Sequence, residues 1–233
     1  MKVFLFILLL AFSLITVNRA QKQADAGMWN TITIEKELSK KIIVSVDQEF
    51  RLKYNYSTLN LFYTNISLDY KVFKGFKISP GFRFIQKYLK EDYFSFRYRL
   101  LLDASYKYEL FHFLFCYRSR VQTEIRDYYT SEVGKIPEWY WRNKFDIKYN
   151  FNKFVPYIGT EVRYQIFDPK NPATNNGWHR ARMYAGIDYK LNKGNSIGIY
   201  FLKQQEYDID DPNDLYIIGL QYALSIGRNK DGE

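Results

Sequence analysis

One long segment of this chain alternates between apolar and polar residues more regularly than any other. From Tyr93 to Tyr108, every even-numbered position is apolar or aromatic, and every odd position from Ser95 to Lys107 is polar or charged except Leu101. Successive side chains of a β-strand point to opposite faces, so this segment predicts a strand with one apolar face and one charged face.

The length of this segment indicates where such a strand could lie. Its 16 residues would extend for about 50 Å at the usual rise per residue. Strands of soluble proteins usually have about 3 to 10 residues, whereas a tilted strand that crosses a bilayer needs about 9 to 11 within the hydrocarbon alone. Length and alternation together favour a membrane-spanning strand.

Segments with the same character recur along the chain and are separated by turn residues. We predict a single all-β domain, an antiparallel up-and-down transmembrane β-barrel of 10–12 strands. Because single-chain bacterial barrels close with an even number of strands, eleven segments leave the role of the first one open. The segments are Trp29–Leu38, Ile42–Leu52, Leu59–Val72, Phe76–Leu89, Tyr93–Tyr108, Phe111–Arg126, Glu138–Tyr149, Phe154–Phe167, Trp178–Leu191, Asn195–Tyr207 and Leu215–Ile226.

The first twenty residues have the form of a secretory signal peptide. Lys2 precedes the apolar run from Val3 to Val17, and Asn18-Arg19-Ala20 ends at a small residue. The apolar run is shorter than the roughly 20 residues of a spanning helix. We therefore expect residues 1–20 to be a cleaved signal peptide, residues 21–233 to form the barrel domain, and the protein to reside in a bacterial outer membrane.

Composition bears on the environment and on the partners. Aromatic residues make up 19% of the chain, and its formal net charge is +9. A barrel in lipid can display aromatic side chains outward, with Tyr and Trp at the two interfaces. A soluble secreted barrel, with the aromatic faces packed inside, is the alternative architecture. Export argues against nucleic acid as a partner. We expect the partners to be outer-membrane lipid and lipopolysaccharide, with small anionic solutes as further candidates. We also expect the protein to be a monomer.

The polar face of the predicted strands would line the lumen. An arginine surplus on this face could form a path for anions, or arginines and carboxylates could pair and plug a narrow interior. Barrels of about 8 strands are filled by their side chains, whereas 16 to 18 strands leave a channel, so 10–12 strands favour the largely closed, structural or weakly porin-like interpretation. The predicted lumen-lining residues are Asp47, Glu49, Arg51, Arg83, Arg97, Arg99, Asp103, Arg118, Arg120, Arg142, Asp146, Glu161 and Arg163.

Several short motifs give the chain a resemblance to a known family. It resembles the outer-membrane barrel family catalogued as domain of unknown function 2490, and this resemblance implies an outer-membrane location and no established activity. The motifs are Gly27-Met28-Trp29, Gln48-Glu49-Phe50-Arg51, the arginine pairs Arg97-x-Arg99 and Arg118-x-Arg120, Trp139-x-Trp141-Arg142, and the late alternating segment Leu215–Ile226.

Residues that could support catalysis or bind a metal are few. A hydrolase needs a histidine beside a nucleophile and an orienting group, but His112 and His179 belong to opposite ends of the predicted barrel. The acidic run Asp208–Asp214 lacks the spacing of a calcium loop, and no Cys/His set has zinc spacing. We expect no cofactor, no metal and no enzymatic activity. An enzyme that modifies lipid or lipopolysaccharide through His179, or a docking partner of a surface complex, remains the alternative.

Overall fold

The computed structural model describes residues 24–89, 93–131, 134–170, 176–192, 194–207 and 214–227. The predicted signal peptide lies outside these residues, as do positions 208–213 of the acidic run. Within the described ranges, no helix is long and apolar enough to cross a membrane.

The described residues form eleven β-strands. They are β1 (Ala24–Glu37), β2 (Ile42–Lys53), β3 (Thr58–Phe73), β4 (Phe76–Tyr88), β5 (Phe94–Leu110), β6 (Phe113–Arg126), β7 (Glu138–Tyr149), β8 (Phe154–Phe167), β9 (Gly177–Asn192), β10 (Asn195–Glu206) and β11 (Asp214–Ile226). The alternation of apolar and polar residues predicts β7 and β8 to the residue. The largest difference is at β1, which begins at Ala24 rather than Trp29, because the small residues between Ala24 and Gly27 give no clear alternation.

The strands form one closed barrel in which sequence neighbours pair antiparallel. The closing pair is different: β1 and β11 run parallel, in register from Ala24 opposite Asp214 to Lys36 opposite Ile226. The predicted barrel of 10–12 strands is therefore confirmed with eleven strands, and only the closing pair departs from the antiparallel pairing of the others. With an odd number of up-and-down strands, the first and last strands run in the same direction and can close the sheet only as a parallel pair. The first predicted segment is thus a full strand, paired on both edges.

The two ends of the barrel differ in their connections. Residues 38–41, 74–75, 111–112, 150–153 and 193–194 connect strands at one end, which we name the turn end. The opposite end, named the loop end, carries the longest connections, residues 127–137 and 168–176, and the first residues of β1 and β11.

The outside of the barrel is apolar and its inside is polar. On β5, Leu100 and Leu102 are 57% and 54% exposed, whereas Ser95 and Asp103 on the other face are buried. Further buried polar side chains include Asn65 and Glu124, at 3% and 2% exposure. The alternative architecture, in which the aromatic faces pack inside, is therefore not the one that forms.

Tyrosine rings packed over glycines fill part of the interior. Tyr184 lies directly across from Gly159, Tyr157 across from Gly186, and Tyr200 across from Gly219. A Cβ atom added to Gly159 or Gly219 would run into the ring or hydroxyl of the facing tyrosine. These contacts let the rings lie over the backbone, beside a small apolar cluster of Trp29, Leu202 and Ile217, so the interior along β8 to β11 is occupied.

We expect Gly219→Ala to lower the free energy of unfolding by about 1 to 3 kcal/mol, because its Cβ overlaps the Tyr200 ring and overpacking has costs of this size. Urea titration of the barrel in detergent micelles would measure the change. In a Tyr200→Ala background the ring is absent, so Gly219→Ala should there cost much less. An equal cost in both backgrounds would contradict this packing.

Candidate functional site

All thirteen residues predicted to line the lumen occupy strand positions that face the barrel interior. Glu49, Arg83, Asp103, Arg120, Asp146 and Glu161 are buried, and the other seven are partly buried. Contacts between strands that are not neighbours in the sheet, such as Arg118 on β6 with Glu161 on β8, can be made only across the interior. This placement follows from the alternation of side chains along each strand, which has a period of two residues.

Glu161 is the centre of the largest cluster of charges. Its carboxylate accepts hydrogen bonds from Arg142 at 2.5 Å, and from Arg118 and Arg182 at 2.9 Å each. The three arginines come from β7, β6 and β9, and the carboxylate is shielded from solvent. One buried acid thus connects four neighbouring strands through charge-assisted hydrogen bonds.

A second cluster surrounds Glu124, near the loop end. Arg97 donates to this carboxylate at 2.8 Å and Arg99 bonds its other oxygen. Arg126 contacts Glu124 at 3.8 Å and Glu138 at 2.5 Å, so it bridges two acids. Arginine has five donors in a planar fork, which makes it able to serve two carboxylates at once.

Two smaller groups continue the network around the barrel wall. Arg120 donates two hydrogen bonds of 2.6 Å to the carboxylate of Asp103. Arg51 pairs with Glu49, and its guanidinium lies 3.6 Å from the centre of the Trp29 ring. We name the whole set the ion-pair layer. Its members are Arg51, Arg83, Arg97, Arg99, Arg118, Arg120, Arg126, Arg142, Arg163, Arg180, Arg182, Glu49, Asp103, Glu124, Glu138, Glu161 and Glu206.

Two arginines of the layer have no carboxylate partner among the described residues. Arg83 donates to the side-chain oxygen of Asn65 at 3.3 Å and lies 3.9 Å above the Tyr63 ring. Arg163 contacts His179 at 2.9 Å and lies 4.7 Å from the Tyr140 ring. Aromatic faces compensate a guanidinium only partly, so these two positions contribute to the positive charge that eleven arginines and six carboxylates leave in the layer.

His179 lies within this layer rather than at an exposed surface. Arginine can only donate, so the Nδ1 atom of His179 accepts from Arg163, and its Nε2–H donates to Gln165 at 2.8 Å. Both ring nitrogens are thereby engaged with groups that are neither nucleophile nor acid. His112 lies at the turn end, beside Tyr149. The two histidines are therefore at opposite ends of the barrel.

The position of His179 could not have been read from alternation. The register shifts between Arg163 and Tyr164, so that Arg163 faces Arg180 while Tyr164 faces Trp178. This bulge leaves His179 without a partner on β8 and turns both it and Arg180 inward. Glu138 and Arg126, by contrast, follow the same alternation as the predicted residues but were missing from the predicted set.

The other half of the interior, toward the turn end, holds a polar cavity. It has a volume of about 180 Å³ and lies against the inner faces of β1 to β6. Serine, asparagine and carboxylate side chains make up most of its lining. The interior thus consists of a packed half rich in arginine ion pairs and a polar, partly open half.

Glu161→Gln should destabilise the barrel by about 3 to 5 kcal/mol, because it leaves three buried arginines without their shared acceptor. Glu37 offers a matched control: it pairs with Lys71 at 3.1 Å, and both side chains are more exposed. Glu37→Gln should therefore cost less than about 1 kcal/mol. Urea unfolding of both variants in micelles distinguishes the two cases, and similar costs for both would argue against a central role for Glu161.

A closed β-barrel with an apolar exterior and a charged interior defines the class of this protein. The sequence model of the family described as protein of unknown function (DUF2490) matches residues 26–215. The chain belongs to this family.

Two solved structures share the fold at low sequence identity. One is the NanC porin, in a rhombohedral crystal form, with a TM-score of 0.50 and 13% identity over 77% of this chain and 85% of that chain. The other is the beta domain of the Bordetella autotransporter BrkA, with a TM-score of 0.50 and 11% identity over 81% of this chain and 85% of that one. No curated protein sequence matches. At these identities the similarity concerns the fold alone.

Proposed function

We propose that this chain is an outer-membrane β-barrel with a structural or weakly porin-like role, and that its arginine-rich lumen is largely closed. The observation that carries the proposal is the ion-pair layer, in which Glu161 binds arginines from three other strands. Arg51 of β2 and Arg182 of β9 also reach the same ring, that of Trp29, at 3.6 and 5.2 Å. Such contacts across the interior occupy space that a solute would need.

The outer surface supports the proposed membrane location. Leu100, Leu102 and Ile66 are more than half exposed along the middle of their strands, which in water would be a large apolar patch. Near the loop end, Trp141 and Trp178 face outward with ring centres 6.0 Å apart. Aromatic residues at this level are typical of the headgroup region of a bilayer. We propose export by the signal peptide of residues 1–20 and a monomer whose surroundings are lipid and lipopolysaccharide.

The proposed membrane location predicts the effect of a charge placed on the apolar outer face of the barrel. Leu100→Arg should lower the free energy of unfolding by about 2 to 4 kcal/mol in lipid vesicles, the cost near the bilayer midplane. Phe111→Arg is the matched control, because Phe111 is 94% exposed at the turn end and its replacement should have little effect. The measurement is urea unfolding from vesicles. A negligible cost at Leu100 would place this face outside the hydrocarbon.

The width of the barrel supports a closed interior. Eight strands leave an interior that side chains just fill, and 16 to 18 leave an aqueous channel. With eleven strands, long paired side chains are sufficient to block passage. Within the ion-pair layer nine of the eleven arginines contact a carboxylate, and these contacts fix their long side chains inside the barrel.

Planar-bilayer recordings test closure directly. We expect the unmodified protein to show no conductance steps above background, and Arg97→Ser with Arg99→Ser to raise conductance, because this pair removes two long side chains from the layer. Lys40→Ser with Lys41→Ser removes the same charge from an exposed turn and should change nothing. Large, stable conductance steps from the unmodified protein would contradict the proposal that the lumen is closed.

A path for small anions is the second candidate, favoured by the carboxylate-free Arg83 and Arg163. If conductance is found, Arg97→Glu with Arg99→Glu should shift selectivity toward cations.

We also propose that the protein is not an enzyme, since both ring nitrogens of His179 are engaged by Arg163 and Gln165. No contact in the described part of the chain favours the lipid-modifying alternative.

A further inference from the structure

The polar cavity of the turn half is not used by the proposed structural role. Its volume is about 180 Å³, the volume that about six water molecules occupy at roughly 30 Å³ each. One small solute has a similar volume. The cavity lies beside the ion-pair layer and is partly open, so filling it does not require a path through the barrel.

Each positive charge that lines the cavity has a carboxylate partner. Lys77 pairs with Asp69, and Arg120 holds Asp103 with two short bonds. Arg118 donates to Glu161 at 2.9 Å. An anion that entered the cavity would have to compete with a carboxylate for each of these cations.

Two carboxylates of the lining, in contrast, have no cation within 4.0 Å among the described residues. Asp47 accepts hydrogen bonds from Thr33 at 2.8 Å and from the Asn65 amide at 3.0 Å. Glu35 accepts one from Ser225 at 3.2 Å. The Asn65 oxygen accepts from Arg83, so an amide separates Asp47 from that guanidinium. A carboxylate bonded only to neutral donors retains attraction for a cation.

Hydroxyl groups of the lining have unused hydrogen-bonding capacity. Ser79 is only 6% exposed, and its hydroxyl has no hydrogen-bond partner. Ser45, Ser67 and Ser105 line the same cavity. A buried hydroxyl without a partner costs stability, and each of these groups can both donate and accept, which suits a ligand that carries hydroxyls of its own.

We propose that this cavity is a binding site for a small hydroxylated amine of about monosaccharide size. The ammonium group would lie between Asp47 and Glu35, and the hydroxyls of the ligand would bond Ser79 and the neighbouring serines. This inference goes beyond the proposed function, because binding from one side needs neither conductance nor a particular width of the barrel at the ion-pair layer.

Calorimetric titration of the purified full barrel in detergent micelles tests the proposal with three probes of equal ring size. These probes are glucosamine, which is cationic, glucose, which is neutral, and glucuronate, which is anionic. We expect saturable binding of glucosamine, weaker binding of glucose and the weakest of glucuronate. Absence of saturable glucosamine binding, equal binding of all three, or preference for glucuronate would each overturn the proposal.

Variants that keep the shape of the side chain locate the site. Asp47→Asn should weaken glucosamine binding about tenfold, the loss expected for one charge-assisted hydrogen bond, and should leave glucose binding nearly unchanged. Ser79→Ala, which removes only the hydroxyl, should weaken both by about threefold. Asp188→Asn is the matched control: Asp188 is an interior carboxylate of β9 that bonds Gln221 and lies outside the cavity. Equal losses in Asp47→Asn and Asp188→Asn would contradict the assignment, and migration on unheated gels would verify that each variant is folded.

Discussion

The parallel pairing of β1 with β11 is the constraint on which the rest of the structure depends. It joins the two edges of the sheet from Ala24 to Lys36 of β1, so the sheet has no open edge along this seam. An open edge in lipid costs several kcal/mol for each unsatisfied group. Closure also separates an inside from an outside, and only then can the alternation of each strand send apolar side chains one way and charged side chains the other.

The charges inside follow from this separation. A narrow closed interior shields its side chains from water, so a charged group there needs a partner. Glu161 and Glu124 each serve three arginines, which stabilises the excess of arginine while tying distant strands together. The two arginines without a carboxylate partner among the described residues contact aromatic rings instead. Arg83 lies over the Tyr63 ring and Arg163 lies near the Tyr140 ring. Aromatic residues therefore contact arginines inside the barrel, in addition to the outward positions that the composition of the chain suggests.

Alternation predicted the strands and the inward direction of the charged residues, because a period of two is a local property of the backbone. It could not predict features that depend on several strands at once. The pairing of Arg118 with Glu161 joins β6 to β8 across the intervening strand β7, and the direction of the closing pair depends on the strand count. The bulge that turns His179 and Arg180 to the same side depends on the register between β8 and β9. No single segment of the sequence contains a signal for any of these.

The residual charges divide the interior into two parts of opposite sign. Arg83 and Arg163 leave positive charge in the ion-pair layer, and Asp47 and Glu35 leave negative charge in the cavity beside it. Asn65 lies at the boundary, where its amide donates to Asp47 and accepts from Arg83. A solute of either sign would be attracted by one part and repelled by the next, which supports the proposals of a largely closed lumen and of a ligand held on one side.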